Sequence, residues 1–473
     1  MTNIPLQPIK LVPHWLAMTL CILFAILYGV WLLPNTIFIR NTCLITGAVL
    51  SLWLIFQNRG IFYQRRTWPI LLIGGLLIWV SIHLFFIGLE FDTQYAEYTK
   101  IWKKIALGCV FAIGLGLAIS SHFADDKKSM QYWLIVRIAF LLPVTIYFLK
   151  LIINTWAAHK GIELSPYLQD SRAIFTDPYA IARPGYVFFI LPAIALAIGT
   201  MTNAIESNRF AIKNHLLDLA SMVLTIACLF IEHDKLGVLL VILLLLAAGY
   251  ILTKGMAKQL SRQNLLILFF GLLAVLVIGL SSYRQNAQWS TLIADAKVAV
   301  QVDAIDDWKY ESAKSENAQH EVIERLPVNE YGQKVNVSNY QRIAWAVVGS
   351  RLTVDHPLGY GLMSQSFGRW CKLRWPESHN SWAHNAWLDF TLGYGYPGTF
   401  LLLVASILAW RNSKAISGPW NILGCWGFGI MACTLFFKEL SSEIYFNAYI
   451  FVLIWVATLA LVNKNKINNA KPN

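Results

Sequence analysis

The sequence predicts an all-α polytopic membrane protein of about twelve transmembrane helices, with one long, mainly helical loop between the ninth and tenth. Three observations predict it. Of 473 residues, 57% are hydrophobic and 14% charged, with a mean hydropathy of +0.53, outside the range of ordinary soluble domains. Apolar runs of about 20 residues, enough for a helix to cross roughly 30 Å of hydrocarbon, recur along almost the whole chain. Lysine and arginine alternate between successive connections, as they do when such helices are oriented in a bilayer.

The runs lie near residues 12–33, 38–56, 69–89, 105–121, 132–153, 184–200, 216–231, 236–252, 264–281, 396–410, 420–437 and 445–462. No small-residue cleavage site follows the first run and a second comes soon after it, so it reads as a retained anchor. An even number of spans puts both termini on one side.

The short connections give the orientation. One set carries Arg59, Arg65, Arg66, Lys127, Lys128, Arg209, Lys213, Lys254, Lys258, Arg262, Arg411, Lys414, Lys464, Lys466 and Lys471, sixteen cations with Lys10. The other carries five, Lys100, Lys160, Arg172, Lys235 and Lys438. Positive residues in short loops stay in the cytoplasm, so the first set and both termini are cytoplasmic. Much of the net charge of +12 is accounted for in this way, which argues against a nucleic-acid partner.

Three sections follow: 1–281 with nine helices, a loop over 282–395 on the outer face, and 396–473 with three helices and a short cytoplasmic tail. From Asp295 to Ala318 the loop mixes apolar residues at helical spacing with Asp303, Asp306, Asp307, Glu311 and Glu316, the pattern of an amphipathic helix over the bundle. Six of the seven cysteines fall in spans and only Cys371 in the loop, so no disulfide forms within it and cysteine points to no metal. Within spans, His83, Arg137 and Lys150 could mark an ion path. They are better read as paired or snorkelling residues.

The end of the loop carries the sharpest pattern: His379-Asn380-Ser-Trp-Ala-His384-Asn385-Ala-Trp387-Leu-Asp389, running through Gly393, Gly395, Pro397, Gly398 and Thr399 into the tenth span. A histidine held there can take a proton from a hydroxyl within hydrogen-bond reach. Alone, His384 could equally be a polar interfacial residue bonded to loop backbone.

The spacing His384-Asn385, nine residues, Gly395, two residues, Gly398-Thr399 resembles the signature of the bacterial O-antigen ligase family. That family carries it after nine spans and a long outer loop. The topology resembles the family over essentially the whole chain, the motif over 16 residues. The resemblance implies a glycosyltransferase at the periplasmic face of a bacterial inner membrane. Such an enzyme moves polysaccharide from undecaprenyl diphosphate to a sugar hydroxyl of lipid A-core, with neither metal nor other cofactor. It implies His384 as general base with Asn385 beside it. Arg183 in Ala182-Arg183-Pro184-Gly185 and Arg342 in Asn339-Tyr-Gln-Arg342-Ile-Ala-Trp345 resemble diphosphate-binding arginines.

Two positions depart from the pattern. Where the family carries a third arginine, this chain reads Glu232-His233-Asp234-Lys235, and lysine keeps the charge without the forked geometry. Gly393 stands where many relatives have an acid, which Asp389 could replace. His379, Asp389, Trp387, Arg369 and Arg374 are candidates for acceptor contact or support of the site. The alternatives are a solvated face for the arginines and, for Trp370, Trp375, Trp382 and Trp387, an interfacial aromatic belt rather than sugar-stacking platforms.

Two rivals remain. A protein O-oligosaccharyltransferase or O-antigen polymerase would use the same donor. A lipid-linked glycan transporter would instead place charges inside the bundle and at broken helices.

Overall fold

The computed structural model describes residues 9–33, 35–164, 183–207, 209–256, scattered positions of 271–284, 288–310, 326–416, 418–438 and 443–462. Among them the chain is helical, with one isolated β-bridge between Val328 and Lys334. Among the described residues eight helices are long and apolar enough to cross a membrane, and His14–Val30 and Ile444–Leu459 are shorter apolar helices.

The first half contains α1 (His14–Val30), α2 (Ile37–Gln57), α3 (Trp68–Ile82), α4 (Phe91–Glu97), α5 (Lys103–Ser120) and α6 (Asp126–Lys160). Then come α7 (Arg183–Glu206), α8 (Leu216–Ile231) and α9 (Lys235–Met256). Their ends follow local chemistry. Asp125 accepts the Lys128 N–H at 3.1 Å to start α6, and Gly161 ends it in the left-handed region at φ 64°. Asp234 accepts the Gly237 N–H at 2.7 Å to start α9. The expected ninth span, 264–281, lies almost wholly outside the described residues.

The loop contributes α10 (Gln288–Ala299), α11 (Val337–Asp355) and α12 (Ser366–Arg374). The amphipathic helix expected over 295–318 is corrected: α10 stops at Ala299 and turns follow to Tyr310, with 311–325 outside the described residues. Asp295, where that stretch opens, does not face water. It is fully buried and accepts hydrogen bonds from Thr291 Oγ1 (2.8 Å), Asn329 Nδ2 (3.1 Å), Asn339 Nδ2 (3.1 Å) and the Asn336 backbone (3.3 Å). A carboxylate so bonded ties α10 to α11 instead of facing water.

The last section holds α13 (Ala386–Ser413), a segment helical without a break through Trp420–Ile422, Leu423–Phe428 and Gly429–Thr434, here α14, and α15 (Glu443–Leu459). The tenth span, expected at 396–410, thus begins ten residues earlier and breaks at Gly395, whose φ of 67° and ψ of −176° interrupt the helix. The section boundary at 395 falls on that kink.

α15 is buried on every side, from Phe446 to Leu461, and packs on α5, α13 and α14. A helix apolar all round belongs at the centre of a bundle. α1 packs on α6, α2 on α5, α3 on α13, and α7 on α8 and α9. One end of the bundle joins Lys10 to Asn58, Val12 to Ser121, Arg66 to Ala460 and Ser129 to Trp420. The other end joins the 83–102 connection, the start of α9 and the long loop. Two of the ionisable residues expected inside spans have partners: Arg137 bonds Asp218, which also takes His215 Nδ1 at 2.8 Å, and His83 Nε2 meets Leu358 O at 2.9 Å.

Candidate functional site

The loop builds a small core of its own from Trp308, Tyr340, Trp345, Leu352, Phe367 and Trp370. Asn336 caps α11, accepting the Asn339 N–H at 3.3 Å. Trp345, 2% exposed, donates from Nε1 to Trp308 O at 2.8 Å.

The motif segment is pinned on both sides of its histidine. Asn385 caps α13, its side-chain oxygen accepting the Leu388 N–H at 3.1 Å, while Asp389, 2% exposed, accepts the Ala383 N–H at 2.9 Å. Between these anchors His384 takes φ 54°, the left-handed region that favours glycine. Its ring lies on Trp345, centroids 5.0 Å apart and planes at 15°. Ala386 N–H donates to Leu435 O at 3.0 Å, and Trp387 Nε1 to Ala432 O at 3.3 Å, which ties the start of α13 to the end of α14.

Arg342 stands on α11 one turn before Trp345, exposed where Trp345 is buried. The Arg342 guanidinium is close enough to act electrostatically on Lys235 at the start of α9. Asp234 caps α9 and also acts electrostatically on Lys235 with the sign opposite to Arg342, and Glu232 accepts a hydrogen bond from Tyr147 at 2.5 Å. Helix α11 thereby links His384 to a pair of like charges. Arg183 opens α7, but its side chain lies outside the described residues.

The other candidates are engaged elsewhere. Arg369 pairs with Glu90 at 3.4 Å, and Arg374 with Asp355 at 2.5 Å while lying over Trp375. His379 is exposed, its N–H donating to Lys309 O at 2.9 Å and its ring beside Tyr310. Neither the belt nor the sugar-platform reading describes Trp370 and Trp375, which are loop core: Trp370 stacks on His356 and Trp375 meets Trp308 edge-on. Burial pushes the Cys371 thiol up to about 12, so it stays protonated. Among the described residues no group of three or more His, Cys, Asp or Glu side chains is placed to hold a metal ion.

A turn at 356–361 docks on the kink of α13. Tyr360 N–H donates to Leu392 O (2.8 Å), Gly361 N–H to Gly393 O (2.6 Å) and Tyr396 N–H to Pro357 O (2.9 Å). The carbonyls freed by the break at Gly395 therefore have partners. A Cβ at Gly393 would sit 2.1 Å from Leu362 O, so no acidic side chain fits there.

Sequence reasoning missed the side chains that seat the loop on the bundle. Gln94 Nε2 donates to Tyr360 O at 2.9 Å, Glu90 accepts from Tyr360 OH at 2.5 Å, and Glu97 accepts the N–H groups of Met363 and Ser364. Their i, i+4, i+7 spacing marks one helix face and was the available signal.

Beside the start of α13 opens a cavity of about 960 Å³. It runs from Trp387 and Phe436 at the loop end, past Leu244 and Ile407, to Lys414 at the opposite end, and its lining is mostly apolar. Comparison of the chain with protein-family models, curated proteins and solved structures yields no match.

Proposed function

We propose that this protein is an O-antigen ligase of the bacterial inner membrane. It spans the bilayer twelve times with both termini cytoplasmic and the 282–395 loop in the periplasm. The observation that carries the reading is the double role of α11, which sets Trp345 against His384 and Arg342 within electrostatic reach of Lys235. Two like charges within electrostatic reach of each other favour an anion beside them, and the diphosphate of a lipid-linked sugar is such an anion.

In the proposed reaction His384 takes the proton of an acceptor sugar hydroxyl on lipid A-core. The hydroxyl oxygen bonds to the anomeric carbon of the donor glycan as the bond from that carbon to the phosphate oxygen breaks, inverting the centre. Undecaprenyl diphosphate leaves with the electron pair, and Arg342, Lys235 and Arg183 stabilise its charge. The long apolar cavity beginning at Trp387 suits the polyprenyl chain, since it leads from the loop end down between α7, α9 and α13.

The test uses purified protein with lipid-linked donor and either lipid A-core or a peptide acceptor. Transfer to lipid A-core by the native chain and none by His384→Ala at equal protein level is the expected result. Transfer to the peptide alone would assign a protein oligosaccharyltransferase, and donor translocation without a new glycosidic bond a transporter.

A further inference from the structure

The break at Gly395 divides α13 into two pieces. The first, Ala386 to Tyr394, begins at the Asn385 cap beside His384, and the second continues from Tyr396 through the bundle. Residues past the break tie the pieces together again. Thr399 Oγ1 on the second piece donates to Thr391 Oγ1 on the first at 3.0 Å, and Thr391 Oγ1 donates in turn to Trp387 O at 2.8 Å. Two hydroxyls thus carry a link from beyond the kink to a carbonyl two residues after Asn385. Thr391 is buried, which keeps water from competing for the link.

At its far end the first piece is held by Tyr394, which is buried. The Tyr394 carbonyl accepts from Trp79 Nε1 and its hydroxyl from Trp102 Nε1, both at 2.8 Å. Gly398 leaves room for the first of these bonds, since a Cβ there would lie 3.2 Å from the Trp79 indole nitrogen and 2.8 Å from Tyr394 Cβ. The second half of the motif, Gly395 with Gly398 and Thr399, therefore acts on the placement of the piece that opens at its first half, His384 and Asn385. The lever is long enough to matter. The nine residues Ala386 to Tyr394 rise about 13 Å at 1.5 Å per residue, so a tilt of about 10° at the kink carries the Asn385 end through about 2 Å. A displacement of about 1 Å at a reacting group costs on the order of a hundredfold in rate.

We propose that Thr399 and Thr391 are positioning residues, whose hydroxyl relay across the kink holds the first piece of α13 at the tilt that brings His384 to its hydroxyl substrate. That the substrate is a sugar hydroxyl rests on the glycosyl-transfer reading, whereas the holding of the piece does not.

Thr399→Val keeps the side-chain shape and loses the donor, and Thr399→Ser keeps the donor. Hydrogen exchange on the full chain in nanodiscs tests the relay without catalysis. The amides of 386–394, set against those of 400–408 in the same helix, quicken about fivefold or more in Thr399→Val and in Thr391→Val and stay within about twofold of native in Thr399→Ser. In transfer assays with lipid-linked donor and lipid A-core, Thr399→Val lowers kcat about tenfold or more and leaves both KM values within about twofold, and Thr399→Ser brings kcat back to within about threefold of native. Thr391→Val combined with Thr399→Val loses no more kcat than either alone, because each breaks the same link. Exchange as slow in Thr399→Val as in the native chain overturns the proposal. So does a native kcat in Thr399→Val, a loss that falls on KM, or a loss that serine fails to restore. Exchange quickened by valine and restored by serine, in a native chain that joins no glycan to lipid A-core, leaves the relay standing and removes the ligase reading.

Discussion

The His384 imidazole lies flat on the Trp345 indole, 5.0 Å between centroids, and Trp345 is fixed in turn by its N–H to Trp308 O at 2.8 Å. The residue beneath the histidine is therefore immobile. His384 itself is in a strained backbone conformation, held by Asp389 on one side and the Asn385 cap on the other. Strain of on the order of 1–3 kcal/mol persists only where the surroundings over-determine it, and a base that must meet one hydroxyl in one orientation has use for it.

Trp345 is expected to act through orientation. Trp345→Phe keeps an aromatic face and loses only the N–H to Trp308, so its kcat stays within about threefold of native. Trp345→Leu removes the face and lowers kcat by about tenfold or more with KM for the donor little changed. Steady-state kinetics on the two variants decide it. Equal losses in both would assign Trp345 to loop packing alone.

Arg342 and Lys235 carry the second expectation, which has opposite signs for stability and function. Arg342→Ala relieves repulsion on Lys235 and leaves the thermal midpoint unchanged or raised, whereas Lys235→Ala also gives up the attraction of Asp234 and leaves the midpoint about unchanged. The same variants raise the KM for a diphosphate donor by about tenfold or more, the worth of one charged hydrogen bond. A lowered midpoint with unchanged KM would show that the pair serves folding.

Much of this arrangement was legible in the sequence, and the remainder was hidden for physical reasons. Apolar runs locate the helices because a spanning helix has to satisfy its backbone internally along its whole length. Charge alternation assigns Lys235 and Arg342 to one side. Helix starts are less visible: the apolar run places the tenth span from 396, yet the Asn385 cap starts α13 at Ala386 and Gly395 interrupts it. Trp345 and His384 lie 39 residues apart in sequence, and no periodicity reports a stack between them. The buried role of Asp295 is equally silent in the sequence, because spacing cannot show that four donors from three segments surround it.

Gly359 tests whether the loop has to dock on the kink. A Cβ there would lie 2.5 Å from both Gly393 O and Gly395 N, at a φ of 82°. Gly332 has a similar φ of 72° but open space around it. Gly332→Ala therefore carries only the conformational cost, about 1–2 kcal/mol, whereas Gly359→Ala adds a backbone clash and undocks the turn. Limited proteolysis between α11 and α12 reads the difference: rapid cleavage is expected in Gly359→Ala and native protection in Gly332→Ala. Equal protection would mean the turn is not what holds the loop.

His356 makes the loop sensitive to acid. Its ring stacks on Trp370 at 3.6 Å, and burial lowers its pKa below the usual histidine value, with Asp355 opposing and Arg374 reinforcing the shift. As pH falls through about 6.5, the unfolded chain takes up the proton first, while the folded loop resists until the lower folded value is reached. Stability contributed by the neutral ring is thus present above that window and declines as pH drops through it. Hydrogen exchange of the α12 amides should quicken between pH 7.5 and 5.5 beyond the intrinsic change, and His356→Phe, which keeps the stack without the titration, should flatten that dependence. The same slope in native and variant chains would place the acid sensitivity in another group.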